Sequence, residues 1–308
     1  MIGKMVLLLL LIFPMSVTAL GNSSLALFGD SPGMGPISLE GNDLLLMPKM
    51  SFPEEAKGLE LFGILPVYSL NQSIIGAFHF FPQGGASNIS VCISPFNLSG
   101  YGETHDHKEK KCAKTSLATK GSTNTNGTSF QLASNSTGMY SLNFVAENNS
   151  SLLISMPLLI TEGQVVLKMP SIVKADDPFI QVKMNTTAQG NQSKIFAAIM
   201  ICRKDYENAS LGMVRNETTN SLDLNMSLGP KSLQIQGPLK ISSELLMNLL
   251  PLLPASSAVG LQESTQPGVD LILLTDKPWV KGEYILTGGI YSPGKGLLGI
   301  KQQEIEVI

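Results

Sequence analysis

The sequence is short of charged residues, of histidine and of tryptophan. Only 15% of its 308 residues are Asp, Glu, Lys or Arg, and it contains three His and one Trp. Typical soluble domains carry roughly a quarter of charged residues. The formal net charge is −3, and no basic run has the length of a nucleic-acid-binding segment. We therefore expect no nucleic-acid partner.

Long hydrophobic runs are also scarce, and the longest lies near the N-terminus. Lys4 precedes an uninterrupted apolar run over residues 5–13, and small residues follow up to Ala19. This order predicts a secretory signal peptide over residues 1–19, cleaved after Ala19. A retained N-terminal membrane anchor is the alternative, although a bilayer crossing needs about 20 apolar residues. The last residues form no hydrophobic tail, so we expect no integral span in the mature chain and a location outside the cell or on its surface.

Cysteine is rare, with Cys92, Cys112 and Cys202 as the three residues of this type. An oxidising compartment permits one disulfide and leaves one thiol. The pair Cys92–Cys112 is the first choice, because closing about twenty residues of polar loop stabilises by roughly 3 kcal/mol in the chain-entropy treatment. A Cys92–Cys202 pair and three buried free thiols are the alternatives that the sequence leaves open.

Asn-x-Ser/Thr triplets, in contrast, are abundant. Thirteen of the eighteen asparagines begin one, whereas about three are expected by chance from the Ser and Thr content. An attached glycan must be exposed, and it is bulky and solubilising. Carbohydrate can therefore supply the solubility that charges provide elsewhere, which predicts an exported glycoprotein. The candidate glycosylation sites are Asn22, Asn71, Asn88, Asn97, Asn126, Asn135, Asn148, Asn149, Asn185, Asn191, Asn208, Asn216 and Asn225.

The distribution of apolar residues predicts an all-β protein. Residues 20–63 are punctuated by Gly and Pro and are predicted as an N-terminal extension. From there on, short alternating runs recur between turn signals, as in β-sandwiches. We predict two antiparallel immunoglobulin-like sandwich modules. The first covers 64–161 with a long polar loop over 97–136, and the second covers 162–308 with a short helix near 243–250.

The clearest strand is predicted at residues 221–228. Leu222, Leu224 and Met226 alternate there with polar residues, and the acceptor Asn225 falls on the polar side. Further strands are predicted around Ile89–Ile93, Val165–Leu167, Ile180–Met184, Ile195–Ile201, Leu233–Ile235 and Val269–Leu273.

A weak internal repeat links the two predicted modules. Gly138-Met-Tyr140-Ser-Leu142 and Gly282-Glu-Tyr284-Ile-Leu286 share the pattern Gly-x-Tyr-x-Leu, and an apolar strand follows each. A Tyr that enters a late sandwich strand after a turn is typical of a tyrosine corner. On these residues the chain resembles immunoglobulin-like surface modules over 64–308, in particular exported glycoproteins of methanogenic archaea. The resemblance implies a sandwich architecture and a cell-envelope location, without an activity. The Cys-Trp-Cys set of true immunoglobulin domains is missing, because the one Trp is Trp279.

Phe28-Gly29-Asp30-Ser31 is similar to the nucleophile block of Gly-Asp-Ser lipases and esterases. In that family a His near the C-terminus, with an Asp three residues before it, activates the serine. The last histidine of this chain is His107, and no Asp-x-x-His occurs. We therefore interpret the segment as a turn and predict no catalytic residue.

Three other patterns have a plain structural interpretation, so that no metal and no cofactor are predicted. His105-Asp106-His107 with Cys112 matches no specific zinc motif and is predicted as a solvated loop. The Gly-x-Gly-x-x-Gly pattern at 294–299 has too little chain after it for a dinucleotide-binding unit and predicts a hairpin turn. Asp176-Asp177 is too small a set for calcium and predicts a turn.

The leading functional hypothesis is a non-catalytic exported glycoprotein that acts as a structural, adhesive or assembly component of the cell surface. Cell-envelope proteins or glycans are the expected partners. A secreted carbohydrate- or solute-binding module, using loops at the sandwich ends, is the alternative. An esterase that uses Ser31 is a distant third.

Overall fold

The computed structural model describes most of the second half of the chain and separate segments of the first. The described residues are 25–27, 34–41, 43–46, 49–51, 64–80, 88–95, 111–116, 128–146, 151–216, 221–228, 231–235, 253–254, 257–274, 278–293 and 295–308. The predicted signal peptide, Ser31, His105 and His107, and the predicted helix near 243–250 lie outside these residues.

The described residues fold almost entirely into strands, which confirms the predicted all-β class. One five-residue helix, α1, covers Arg203–Glu207. The strands are β1 (Leu25–Leu27), β2 (Met34–Glu40), β3 (Asp43–Leu46), β4 (Lys49–Ser51), β5 (Ile64–Ser69), β6 (Ile74–Phe80), β7 (Asn88–Pro95), β8 (Lys111–Ser116), β9 (Thr128–Leu132), β10 (Gly138–Ala146), β11 (Ser151–Thr161), β12 (Val165–Lys168), β13 (Ile172–Val173), β14 (Phe179–Thr186), β15 (Lys194–Cys202), β16 (Ser210–Asn216), β17 (Ser221–Leu228), β18 (Lys231–Ile235), β19 (Ala258–Ser264), β20 (Gly268–Leu274), β21 (Gly282–Ser292) and β22 (Gly296–Val307).

The chain divides into two compact units. The first unit contains Leu20–Asp43 and Glu54–Ile160, and the second contains Leu44–Pro53 and Thr161–Ile308. Residues 20–63, predicted as an extension, are thus shared between the units and contribute strands β1 to β4.

The first unit is a sandwich of two sheets. One sheet has the order β1-β2-β6-β9, and the other contains β5-β11-β10-β7-β8. Three buried aromatic rings join them: Phe78 on β6 and Phe130 on β9 lie 5.3 Å and 5.8 Å from Phe144 on β10, measured between ring centroids. Both pairs are edge-to-face, the arrangement that the ring quadrupoles favour. The core therefore lies between the sheets.

The second unit is built around one sheet with the order β12-β14-β20-β19-β15-β21-β22-β13. A single residue pair, Val259 with Leu274, joins β19 to β20. The sheet folds over at this seam, so that β12 and β14 face β21. A Cβ on Gly288 of β21 would lie 2.4 Å from Leu167 Cδ2 and 2.9 Å from Met184 Cε, so the side chains of β12 and β14 pack directly on the β21 backbone. Val182, Phe196 and Leu286 are among the fully buried side chains between the halves.

The two units share one topology. We number the strands of each sandwich along the chain from β2 and from β12, leaving out β3, β4 and the strands β16 to β18. Strands 1-3-6 then form one layer and strands 2-8-7-4-5 form the other. In the first unit these layers are β2-β6-β9 and β5-β11-β10-β7-β8, and in the second they are β12-β14-β20 and β13-β22-β21-β15-β19. Apart from β13, which pairs with β22 in parallel, the described pairs of these strands are antiparallel, and the order in two facing layers is that of immunoglobulin-like sandwiches, which confirms the predicted architecture.

An insertion separates β15 from β19 in the second unit. It contains α1 and the antiparallel strands β16, β17 and β18, which extend to a four-stranded sheet of order β18-β17-β16-β4. The strand predicted at 221–228 is confirmed as β17. Strand β4 pairs with β16 in parallel.

The prediction of one long loop over 97–136 was wrong, because β8 and β9 lie within it. Cys112 on β8 is opposite Cys92 on β7, and β9 pairs with β6 through residues Thr128 to Leu132. The composition of both segments is polar, but their backbone hydrogen bonds come from neighbouring strands that are distant in sequence. Pairing of this kind overrides local propensity.

Candidate functional site

The loops at one end of the second unit form the best-defined polar cluster of the described residues. This loop end consists of residues 187–193 between β14 and β15, 265–267 between β19 and β20, 293 and 295 between β21 and β22, and 162–164 before β12. Backbone hydrogen bonds tie its parts together, from Gly163 N to Leu298 O at 2.8 Å and from Thr187 N to Gln164 O at 3.1 Å. Sandwich folds commonly carry their binding loops at such an end.

A buried lysine holds two of these loops. Lys194, at the start of β15, is 1% exposed. Its Nζ donates to the carbonyl oxygens of Gly190 at 2.6 Å and of Thr265 at 3.4 Å. Two carbonyl acceptors offset part of the cost of burying the ammonium group. Gly190 adopts φ +125°, a backbone conformation that favours glycine.

Two buried side-chain nitrogens at the loop end have hydrogen-bond donors beyond those that the protein engages. The two carbonyls engage two of the three N–H groups of Lys194. The buried Nε2 of Gln192 has no hydrogen-bond partner. Both donors are closed to solvent, so an acceptor oxygen of a hydroxyl or carboxylate group reaches them only if the loops around them open.

Acceptors lie on the exposed side of the same end. Ser193 Oγ donates to a carboxylate oxygen of the exposed Glu263, and Ser292 Oγ donates to Ser193 O at 3.1 Å. Lys295 and Glu162 form an ion pair at 2.7 Å on the surface. The loop end therefore presents donors and acceptors close together. None of these residues was predicted as part of a site, because its members are spread over the second unit and follow no short motif.

Several predicted glycosylation sites lie on the surface of the described residues. Asn185 is half-buried on β14, and the side chains of Asn88, Asn216 and Asn225, in β7, β16 and β17, are not described. The exposed acceptors are Asn71, Asn135, Asn191 and Asn208, and those outside the described residues are Asn22, Asn97, Asn126, Asn148 and Asn149. Asn191 belongs to the loop end. Glycosylation itself stays a prediction.

Cys92 and Cys202 differ in their bonding state. Cys92 is disulfide-bonded, and Cys202 is a free, half-buried thiol. The register places Cys112 opposite Cys92. Asn143, opposite Cys92 on the other side, donates from Nδ2 to Ser94 Oγ at 3.0 Å and accepts from Ser155 Oγ at 2.7 Å. This buried polar cluster across β7, β10 and β11 had no signal in the sequence.

The remaining motif predictions concern turns. Asp176 and Asp177 lie in the turn between β13 and β14, where Asp177 Oδ2 accepts from Lys174 N at 3.1 Å. Of the segment 294–299, residues 295–299 lead into β22, which pairs with β21 as an antiparallel hairpin. Both turn predictions are confirmed. In the part of the chain that the structure describes, no group of three His, Cys, Asp or Glu side chains could hold a metal ion.

Both predicted tyrosine corners are present. In the first unit, Tyr140 OH donates to Ser136 O at 3.0 Å, and in the second, Val280 N donates to Tyr284 OH at 3.2 Å. Each bond spans four residues. Gly138 and Gly282, two positions before each Tyr, have φ +141° and +142°. The Gly-x-Tyr pattern thus encodes one local structure twice.

Within the described ranges, no helix has the length and hydrophobicity needed to cross a bilayer. No protein-family model and no curated protein matches the sequence.

Three solved structures illustrate what the chain is similar to. The FN1–FN3 domains of chicken CNTN1 are 11% identical, with 84% of this chain and 68% of that chain covered at a TM-score of 0.22. The fibronectin(III)-like modules of Clostridium thermocellum CbhA are 10% identical, with 78% and 88% covered at 0.22. Red sea bream transglutaminase is 8% identical, with 79% and 30% covered at 0.28. The fold assignment rests on the strand pairing described above.

Proposed function

We propose that the protein is an exported, non-catalytic glycoprotein in which two immunoglobulin-like sandwiches serve a structural, adhesive or assembly role at the cell surface. The observation that carries the proposal is the placement of sequon asparagines on the surface of both units. Asn71 and Asn135 occupy turns of the first unit, and Asn191 and Asn208 occupy turns of the second. These are positions at which a bulky glycan disturbs no packing.

The disulfide state supports the same compartment. Cys92 is disulfide-bonded, and such bonds persist in oxidising environments outside the cytosol. The export signal over residues 1–19, with cleavage after Ala19, belongs to this proposal. The setting is a cell envelope of the kind carried by methanogenic archaea, whose exported glycoproteins the sequence resembles. Envelope proteins or glycans are the proposed partners, and nucleic acid is not.

Intact mass spectrometry of the protein from its native cells tests the proposal. We expect a chain that begins after Ala19, carries several glycans and contains one disulfide. Asn148 and Asn149 are adjacent, so we expect at most one of them to be occupied. Peptide mapping after deglycosylation assigns the occupied sites. A cytoplasmic chain that starts at Met1 and bears no sugar would contradict the proposal.

A carbohydrate- or solute-binding module is the second candidate, and the loop end favours it. Gln192 Nε2 and one N–H of Lys194 lack protein acceptors, and the Glu263 carboxylate is exposed beside them. Sugar hydroxyls both donate and accept, so they suit this combination. A thermal-shift screen against a glycan library tests it. A true ligand loses its shift in Gln192→Ala and keeps it in Gln181→Ala, which alters an exposed Gln on β14.

An esterase is the third class, and Ser31→Ala decides it. The proposal expects no hydrolysis of short acyl esters by the native chain. Hydrolysis that the substitution abolishes would replace the non-catalytic function.

A further inference from the structure

The outer face of β14 and β20 carries an exposed apolar strip at one end. Phe179 and Leu274 are opposite each other in the register, and Ile272 follows two residues along β20 on the same side. Their exposed fractions are 51%, 65% and 53%. Leu261 on β19 is 41% exposed, and it shares this side because Val259 pairs with Leu274. We name these four residues the apolar strip.

The strip is large enough to act as a contact surface. Four large apolar side chains that are each about half exposed leave roughly 400 Å² of apolar surface, comparable with the largest patch on a typical monomer, which is often functional. A standard interface buries about 800 Å² per partner. The strip therefore supports a weak contact unless polar surface around it also takes part.

The charges beside the strip suit a second copy of the same chain. Lys183 and Asp270 are opposite each other on the same outer face, and both are exposed. Two such faces related by a two-fold axis can bring Lys183 of one copy against Asp270 of the other. Isologous contacts of this kind are the commonest in homo-oligomers, and sheet faces pack on one another readily.

A glycan at the predicted site Asn185 would not cover the apolar strip. Asn185 is on the same outer face as Phe179 but six residues along β14, about 20 Å away at the rise of a strand. Carbohydrate at Asn185 would cover the end of the face near the exposed Val166. Contact is thereby restricted to the end that carries the strip.

We propose that the protein self-associates weakly through the apolar strip, with a second copy packed on the outer face of β14 and β20. This inference names the assembly surface of the proposed structural role and rests on that role for its biological setting. The interface itself is measured on purified protein, so its failure is distinct from a failure of export or glycosylation.

Sedimentation velocity of the purified full chain over about 1 to 200 μM tests the proposal, since a half-sized interface predicts a dissociation constant in the micromolar range. The double variant Ile272→Lys/Leu274→Lys should raise that constant at least about tenfold, because it buries charge in the contact. Phe179→Ser, on the neighbouring strand, should weaken association independently, which keeps the test decisive if the double variant fails to fold.

Leu152→Lys is the matched control, because Leu152 is 47% exposed and belongs to the first unit. It should leave the dissociation constant unchanged. Asn185→Gln should also leave it unchanged or lower it. A chain that stays monomeric over the whole range, or one that the strip variants and the control weaken equally, would overturn the proposal.

Discussion

The corner that precedes β10 in the first unit and the corner that precedes β21 in the second have the same backbone pattern and opposite chemistry. In the first, the residue five positions before Tyr140 is the exposed Asn135, and the buried Ser134 hydroxyl donates to Ser136 O at 3.0 Å. In the second, the equivalent position is Trp279, which is 3% exposed and lies edge-to-face on Tyr284 at 5.8 Å. The first corner therefore has an exposed polar residue where the second has a buried aromatic one.

The hydrogen bonds differ in direction as well. Tyr140 donates its proton to a carbonyl and its hydroxyl also bonds Oγ of the exposed Ser136, a group that water can satisfy, whereas Tyr284 accepts from the backbone N–H of Val280. The Ser136 carbonyl has a second donor in Ser134, whereas the Val280 N–H donates to the Tyr284 hydroxyl. The stability of the first corner should therefore depend little on the Tyr140 hydroxyl. The stability of the second should depend more on the Tyr284 hydroxyl.

Removal of Trp279 should have the largest effect on stability among the tests of this difference. Trp279→Ala should destabilise by about 3–5 kcal/mol, because it opens a cavity beside Tyr284 and removes the bond from Nε1 to Asp177 O. Denaturant unfolding of the unglycosylated protein measures the change. Asn135→Ala is the counterpart in the first corner and should change the free energy of unfolding by no more than about 0.5 kcal/mol. Equal losses at both positions would remove the distinction between the corners.

Substitution of the corner glycines tests what the corners share. Gly138→Ala and Gly282→Ala should each cost about 1–3 kcal/mol, because both glycines hold a φ that L-residues rarely adopt. Space is not the cause, since a Cβ at either position meets nothing within 4 Å. Stability curves of the two variants should therefore shift alike. A neutral result at either position would show that its backbone relaxes.

Removal of the tyrosine hydroxyls separates the corners again at a smaller scale. Tyr284→Phe should cost about 1–2 kcal/mol, because the Val280 N–H is left without its acceptor in a part-buried place. Tyr140→Phe should cost about 0.5 kcal/mol, because Ser134 still donates to the Ser136 carbonyl. Chemical denaturation of both variants gives the comparison. A larger loss for Tyr140→Phe would contradict the assignment of the two bonds.

The smallest expected effect is a pH dependence at alkaline pH. Burial chiefly, and then the negative charge of the Cys202 thiolate, raise the pKa of Tyr284 from its ordinary value of 10.0 to about 12. The unfolded chain ionises first, so this stability is fully present below pH 10 and is lost as the pH rises towards 12. Tyr284→Phe should flatten the decline of the melting temperature in this window. Burial also raises the pKa of Tyr206, so some decline should remain.

The sequence predicted the features that depend on neighbouring residues. Strand β17, the β21–β22 hairpin and both tyrosine corners follow from alternation, glycine turns and the Gly-x-Tyr pattern. It did not predict β8 and β9, whose polar segments become strands through pairing with β7 and β6. The loop end was also missed, because Gln192 and Lys194 meet Glu263 only when β15 pairs with β19. Long-range pairing leaves no periodic trace in a single sequence.

The short strand β4 limits where the chain can be truncated. Strand β4 comes from a stretch of chain that first-unit residues flank on both sides, yet it pairs with β16 of the second unit. In the same stretch, Leu46 N donates to Gln302 Oε1 on β22 at 3.0 Å. Neither half is therefore a continuous piece of polypeptide. A fragment beginning at Thr161 loses an edge strand of its inserted sheet, so truncation at the visible boundary yields an incomplete body rather than a free-standing domain.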